Sequence, residues 1–302
     1  MPKSHAASSA ASRAALDAAH VQPSSGARAA VGAGAACRYL EVDGVQLAYA
    51  DDGTGDALVC LHAIGHGAGD FAGFRTRHRD RFRVIALDWP GQGRSADDRV
   101  PPSATRYAAL LEGLLDGLGL DRVILLGNSI GGAAALRVAA ARPQRIRGVV
   151  AANPGGLVAD GMQKRLFTRA VASFFSRGAR GAWWYRRAFA ALYQRVLSEA
   201  PAAEQRARIV ASWHEVAPLL AAAWRGFGEA GDGISAQLPS ITCPVLITWS
   251  TGDRLNPLGA NRPAIARFAR GRLQTFRGGH APFLECPEAF DAAFARFVDG
   301  LP

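Results

Sequence analysis

The sequence predicts an α/β fold built on a mostly parallel sheet, with a helical segment inserted into it. Three observations carry this. Short runs rich in Val, Ile and Leu recur along the chain, and stretches of helical periodicity fill the gaps between them. The runs show little polar alternation, the mark of strands covered on both faces. The gap between Asn153 and Cys243 holds no convincing strand, yet it is far too long for a loop in a compact domain. Repeated strand–helix–strand order leads to a parallel sheet.

Each element has its own warrant. Residues 1–36 are rich in Ala, Ser and Gly, hold no aromatic residue and have Asp17 as their only acid. Too little bulky apolar surface is present to offset the entropy of ordering, so a disordered tail is expected. Segments 38–42 and 45–50 flank Asp43-Gly44, a two-residue hairpin signal. Further strands are expected at 57–62, 82–87, 122–126, 146–152, 244–249 and 272–276, and helices at 105–118, 130–141, 263–269 and 287–299. Residues 156–236 are helical in pattern and dense in aromatics, from Phe167 through Trp183, Trp184 and Tyr185 to Trp224 and Phe227. They read as a helical cap inserted into a core of residues 37–155 and 237–302. Most of the aromatics should form the cap's own core, with two or three lining a pocket beneath.

Composition excludes several classes. The chain has 302 residues, 49% of them hydrophobic and 20% charged, which rules out a wholly disordered or collagen-like protein. The net charge of +10 suggests a polyanionic partner, but Lys3 and Lys164 are the only lysines among 35 basic residues. Dispersed arginine beside heavy Ala and Gly usage fits a GC-rich genome better than a binding surface, so no nucleic-acid partner is expected. Cys37, Cys60, Cys243 and Cys286 form no CxxC pair and match no zinc spacing. No metal site is expected. No stretch approaches ~18 apolar residues, and Lys3 and Arg13 precede no continuous apolar segment, so neither stable membrane insertion nor a secretory signal is expected. The expected location is cytoplasmic.

The chemistry concentrates in Val123-Ile124-Leu125-Leu126-Gly127-Asn128-Ser129-Ile130-Gly131-Gly132. It reads as strand, sharp turn and helix, with Gly-x-Ser-x-Gly at the turn. Such a turn strains the nucleophile's backbone and lifts its Oγ clear of the sheet; the small glycines let strand and helix approach. The helix begun by Ile130 aims its N–H groups and positive dipole end at the site.

Here the chain resembles the α/β-hydrolase fold superfamily. Leu58-Val59-Cys60-Leu61-His62-Ala63-Ile64-Gly65 is similar to the family's strand and HGxG oxyanion loop, with Ala63 where Gly is usual. Asp88-Trp89-Pro90-Gly91-Gln92-Gly93-Arg94-Ser95 is similar to its D-x-P-G-x-G-x-S loop. Asp253 and His280 lie where the family places its acid and base, after the strands at 244–249 and 272–276 and in the order Ser, acid, His. The resemblance covers roughly residues 38–155 and 240–300. It implies an eight-stranded sheet flanked by helices, no cofactor, and a triad of Ser129, Asp253 and His280. Backbone N–H groups of Ile64 and Ile130 would then form an oxyanion hole. Asp160 and Asp232 are weaker alternatives for the acid.

Other polar residues carry less. His62 is expected to order the oxyanion loop, and Asp88 to stabilise its own loop. His66 follows the oxyanion loop and faces either the pocket or the surface. Asn128, Trp184 and Phe283 join it as candidate pocket residues, and His214 is expected to be structural.

Serine at the turn argues against dehalogenase or epoxide chemistry, whose related enzymes place Asp there. The expected activity is hydrolysis of a carboxylic ester of a small or medium, largely apolar substrate through an acyl-enzyme. The GNSxGG turn and the cap's position also resemble carbon–carbon hydrolases of vinylogous diketones. Arg186 or Arg187 would supply their carboxylate-binding arginine, while Ala281, Pro282 and Phe283 depart from their usual residues after the histidine. Enol-lactone hydrolysis and a non-turnover ligand receptor are further alternatives. The expected partner is a small molecule, and homo-oligomerisation is left open.

Overall fold

The computed structural model describes residues 36–302, except residues 230 and 232. The tail expected at 1–36 and the alternative acid Asp232 lie outside the described residues, apart from residue 36.

Eight strands form one sheet. They are β1 (Cys37–Val42), β2 (Val45–Asp52), β3 (Asp56–Leu61), β4 (Phe82–Leu87), β5 (Val123–Asn128), β6 (Ile146–Ala152), β7 (Val245–Ser250) and β8 (Gly271–Phe276). Their spatial order is β1-β2-β4-β3-β5-β6-β7-β8. β1, β2 and β4 pair antiparallel; every pairing from β4 to β8 is parallel. Asp43 and Gly44 both adopt positive φ, 49° and 75°, as a tight hairpin turn requires, and Val42 pairs with Val45 across it.

Burial follows position. Every residue of central β5 is buried. β8 differs from the expectation of a strand covered on both faces: only Phe276 of its residues is buried, because it closes the edge of the sheet.

Helices α1 (Ala72–His78), α2 (Ala104–Gly117), α3 (Ile130–Ala141), α8 (Leu258–Ile265), α9 (Pro282–Glu285) and α10 (Pro287–Asp299) belong to the sheet domain. Ser103 caps α2 by accepting from the Arg106 N–H at 3.0 Å, and the helix buries Tyr107, Leu110, Leu111 and Leu114. α10 places Phe290 and Phe294 against Phe74 of α1, with ring centroids 6.0 and 5.1 Å apart. Burying each such ring contributes about 1.5–3 kcal/mol. α8 begins five residues before the expected 263 and carries Pro263 inside it. Proline reads as a first-turn residue in sequence, but in a helix this short the single hydrogen bond it removes is tolerated. α1 and α9 were not anticipated; both are too short to show a periodic pattern.

Between β6 and β7 the aromatic-rich segment folds as α4 (Met162–Ala179), α5 (Tyr185–Val196), α6 (Ala203–Ala211) and α7 (Trp213–Gly226). α4 packs on α7, and Phe174, Phe175, Tyr185 and Phe189 form a continuous aromatic cluster of edge-on, tilted and stacked contacts. These rings serve the insertion's own core, so it is a packed unit and not a loop. No helix among the described residues is long and apolar enough to cross a membrane.

Candidate active site

Ser129 sits between the last residue of β5 and the first of α3, at φ 55° and ψ −116°. A non-glycine residue held there costs about 1–3 kcal/mol. Three backbone bonds hold it. The Ser129 N–H donates to the Ala152 carbonyl at 2.9 Å, and its own carbonyl accepts from the N–H groups of Ala133 and Gly155, each at 3.0 Å. The flanking glycines are steric necessities. A Cβ on Gly127 would overlap the Gly131 carbonyl, and one on Gly131 would overlap the carbonyls of Leu61 and His62.

His280 follows β8, and Asp253 follows β7. His280 Nδ1 donates to Asp253 Oδ2 at 2.5 Å, and both side chains are buried. The carboxylate has further donors. Oδ1 accepts the N–H groups of Leu255 and Asn256 at 3.0 and 2.9 Å, and Oδ2 accepts Asn153 Nδ2 at 2.7 Å. Burial alone would lower the His280 pKa. The charge of Asp253 and its hydrogen bond outweigh that, with a further contribution from Glu285, and hold it above the ordinary imidazole value of 6.5.

Two residues that sequence reasoning passed over hold this pair in place. Asn153 directly follows β6 at φ 43°; its amide donates to Asp253 and its Oδ1 accepts the Ser250 N–H at 3.2 Å. Glu285 is wholly buried. Its carboxylate accepts the Gly279 N–H at 2.9 Å and the Ala281 N–H at 3.1 Å, on either side of His280. It also accepts the Ser198 N–H at 2.7 Å, tying the histidine loop to the end of α5. The His280 N–H donates to the Val196 carbonyl at 2.7 Å, and a Cβ on Gly279 would overlap that carbonyl. The only signal available in sequence was an acid five residues after the histidine.

The loop after β3 is fixed by side chains of the next loop. His62 is fully buried; its Nε2 accepts the Trp89 N–H at 3.0 Å, so the ring proton lies on Nδ1, which donates to the Ala63 carbonyl at 2.7 Å. Burial pulls the His62 pKa down. Gly65, at φ 77°, donates its N–H to Gln92 Oε1 at 2.6 Å. Asp88 accepts the N–H groups of Ala68 and Arg94 at 2.7 and 3.1 Å; burial pushes its pKa up against these bonds.

A cavity of about 380 Å³ opens between this edge of the sheet and the helical insertion. Ser129, His280, Ile64 and Ile130 all line it, as does His66. Ile130 opens α3, where the first N–H groups lack intrahelical acceptors and the dipole end is positive. Phe175, Leu192, Leu220 and Trp224 supply much of the apolar wall.

Three expected pocket residues do not line the cavity. Asn128 is buried beneath it, its Nδ2 donating to the carbonyls of Ala152 and His280 at 3.0 and 2.9 Å; it braces the histidine loop instead. Phe283 is turned away by α9 and stacks on Phe71, with centroids 4.6 Å apart. Trp184 packs on Phe174 and Tyr185 within the insertion's aromatic core. Arg186 and Arg187 are exposed and also outside the cavity wall, whereas Lys164 and Arg254 belong to it. Asp160, the alternative acid, pairs with Lys164 at 2.8 Å and makes no bond to His280. His214 is exposed on α7.

Comparison with known proteins agrees with this architecture. The chain is 28% identical over 259 residues to a 2-hydroxy-6-oxo-6-phenylhexa-2,4-dienoate hydrolase of Burkholderia cepacia, covering 82% of this chain and 89% of that protein. Among solved structures it is similar to a thermophilic esterase from Thermogutta terrifontis, with TM-score 0.73 and 23% identity over 88% of this chain and 98% of that one. It is equally similar to the enol-lactonase of Burkholderia xenovorans, with TM-score 0.73 and 22% identity over 87% of this chain and 100% of that one. These two likenesses bear on the fold alone. The model of the alpha/beta hydrolase family matches residues 58–293, most of the sheet domain and the whole insertion, and the chain therefore belongs to that family.

Proposed function

We propose that the protein is a serine hydrolase that cleaves a carboxylic ester of a small or medium, largely apolar substrate through an acyl-enzyme. One observation carries the reading. A serine on a strained strand–helix turn and an imidazole already bonded to a buried carboxylate line the same cavity. In the first step His280 takes the Ser129 proton as Oγ attacks the scissile carbonyl, and then returns it to the departing alcohol. Asp253 fixes the proton on Nδ1, leaving Nε2 as the base, and stabilises the cation that forms. The N–H groups of Ile64 and Ile130 receive the oxyanion, worth about 3–4 kcal/mol per donor in comparable sites. Water activated by the same imidazole then releases the acid. The helices α4 to α7 act as a cap that limits water and shapes the acyl pocket.

Turnover of a p-nitrophenyl ester panel tests this. Ser129→Ala should lower kcat by several orders of magnitude. A folded Ser129→Ala protein with near-normal rates would refute the reading. A burst that stops after one equivalent would favour a ligand receptor over an enzyme.

Carbon–carbon hydrolysis is the second reading. It is favoured by the Asn128-Ser129 turn and by the Burkholderia cepacia relative. In this reading Arg254, which lines the cavity, would meet a substrate carboxylate; Lys164 there is paired with Asp160, and Arg186 and Arg187 lie outside the wall. A substrate profile across plain esters, lactones and vinylogous diketones separates the readings: the ester hypothesis requires the highest kcat/KM on plain esters.

A further inference from the structure

A second imidazole–carboxylate pair lines the cavity, and the hydrolytic steps make no use of it. His66 lies two residues after Ile64, and its Nδ1 stands 2.6 Å from Asp70 Oδ2, with side chains 2% and 0% exposed. Asp70 Oδ1 accepts Gln205 Nε2 from α6, so the pair is also held by the insertion. A carboxylate only accepts, so the ring proton is on Nδ1 and Nε2 of the neutral ring keeps its lone pair. Several of the wall's other polar side chains are already engaged, while Gln163, Arg254 and Tyr193 also line it. Lys164 bonds Asp160, Thr168 bonds the Arg165 carbonyl, and the amide of Asn256 bonds the carbonyls of Asn153 and Pro154. His66 has one nitrogen committed and one in reserve within an otherwise mostly apolar wall.

We propose that His66 Nε2 is the cavity's recognition point for a hydroxyl group on the substrate, a few bonds from the scissile carbonyl. The proposal rests on the ester-hydrolase reading and narrows it to esters bearing one hydroxyl. The distance follows from the chain: two residues span no more than about 7 Å, and Ile64 is the residue placed to meet the carbonyl oxygen. A hydroxyl fits because it donates to a lone pair. An anionic group fits poorly because the Asp70 carboxylate stands directly behind the ring. A buried acceptor that is left unpaired penalises the substrate lacking the donor, which is how a polar point in an apolar pocket becomes selective. Asp70 is a positioning residue here; it acts through the tautomer it imposes.

The test compares aryl esters in matched pairs, identical except for one hydroxyl moved along the acyl or the alcohol chain. The quantity read is the ratio of kcat/KM within a pair, so a general loss of activity cancels. The wild-type protein should favour the hydroxylated member by about tenfold or more at one position. His66→Phe should bring that ratio to about one. His66→Gln, which keeps an acceptor, should retain part of it, and Asp70→Asn should lower it with little change in shape. An unchanged ratio in folded His66→Phe, or in Asp70→Asn if the first variant does not fold, would overturn the proposal. So would a wild type that discriminates no pair. Calorimetric binding of matched hydroxylated and plain ketones to Ser129→Ala gives the same ratio without turnover. Discrimination between ketones with no ester cleavage would sink the hydrolase reading and keep the subsite; brisk ester cleavage with no discrimination would do the reverse.

Discussion

Two imidazoles stand in the wall of one cavity, and each is bonded to a buried aspartate. His280 meets Asp253 at 2.5 Å and His66 meets Asp70 at 2.6 Å. The bonds are nearly the same, but their mounting is not. Asp253 and His280 lie 27 residues apart, on loops that follow two adjacent parallel strands, so the register of β7 against β8 brings them together. His66 and Asp70 are four residues apart and meet through a single turn of chain. Asp253 also accepts two backbone N–H groups and the Asn153 amide, whereas Asp70 accepts one further side chain, Gln205. The lesson is that an imidazole–carboxylate bond does not define a role. The strand ends place the first pair on the same edge as Ser129; the second hangs on the oxyanion loop and on the insertion.

Replacing each carboxylate by its amide is the sharpest way to break the comparison. Asp253→Asn removes the charge that steadies the His280 cation and permits the wrong tautomer. It should lower kcat on a plain ester by about 10⁴-fold, as in comparable triads. Asp70→Asn should cost the same ester no more than about tenfold in kcat/KM. Equal losses in steady-state assays of both folded variants would mean that the two pairs share one task.

The next effect concerns Glu285, which has no counterpart in the second pair. Its carboxylate holds the backbone on both sides of His280 and ties it to Ser198. Glu285→Ala leaves those N–H groups unpaired and lets the loop shift. A displacement of about 1 Å is enough to cost about 10²-fold in rate. The expected signature is a fall in kcat with little change in KM, together with a lowered Tm. A variant with normal kcat would show that the histidine loop is held by the Val196 carbonyl alone. A smaller loss, about tenfold in kcat, is expected for Asn153→Ala, which deletes one donor to a carboxylate that retains two backbone N–H groups.

These two residues also mark where reading the sequence stopped. The strands were legible because most are buried on both faces and leave unbroken apolar runs, and the turn at Ser129 because its glycines are forced by close backbone contact. Asp253 and His280 were expected together from the family resemblance and from their places after two strands, and the two side chains do meet. Asn153 acts on a partner 100 residues away, and Glu285 joins its near neighbours Gly279 and Ala281 to Ser198, 87 residues away; no local pattern announces the distant bonds. Proximity in the chain misled in the opposite direction. Phe283 is three residues from His280, but α9 turns it onto Phe71. Asn128 adjoins Ser129, but the alternation of β5 sends its amide beneath the cavity. Trp184 belongs to an aromatic core whose facing was not encoded in residue order.

The finest discrimination between the pairs comes from pH. His280 must be neutral to act as base, and the Asp253 charge and hydrogen bond hold its pKa above 6.5 against the opposing pull of burial. Activity should therefore fall as pH drops through a value on the alkaline side of that figure, visible as the acid limb of kcat/KM. The linked stability runs the other way. A raised histidine pKa contributes stability that is fully present below the unfolded value and lost as pH rises through the folded one, so the His280–Asp253 pair stabilises most where the enzyme works least. His62, whose pKa burial lowers, has the opposite sign, so thermal unfolding alone would blur the two. Residual activity of Asp253→Asn separates them: with the carboxylate charge gone, burial dominates and the acid limb should move to lower pH. The limb of Asp70→Asn should stay where the wild type has it, since the carboxylates that raise the His280 pKa are Asp253 and Glu285. A limb that moves with Asp70 and not with Asp253 would assign the titrating base to His66, and with it the roles of the two pairs would be exchanged.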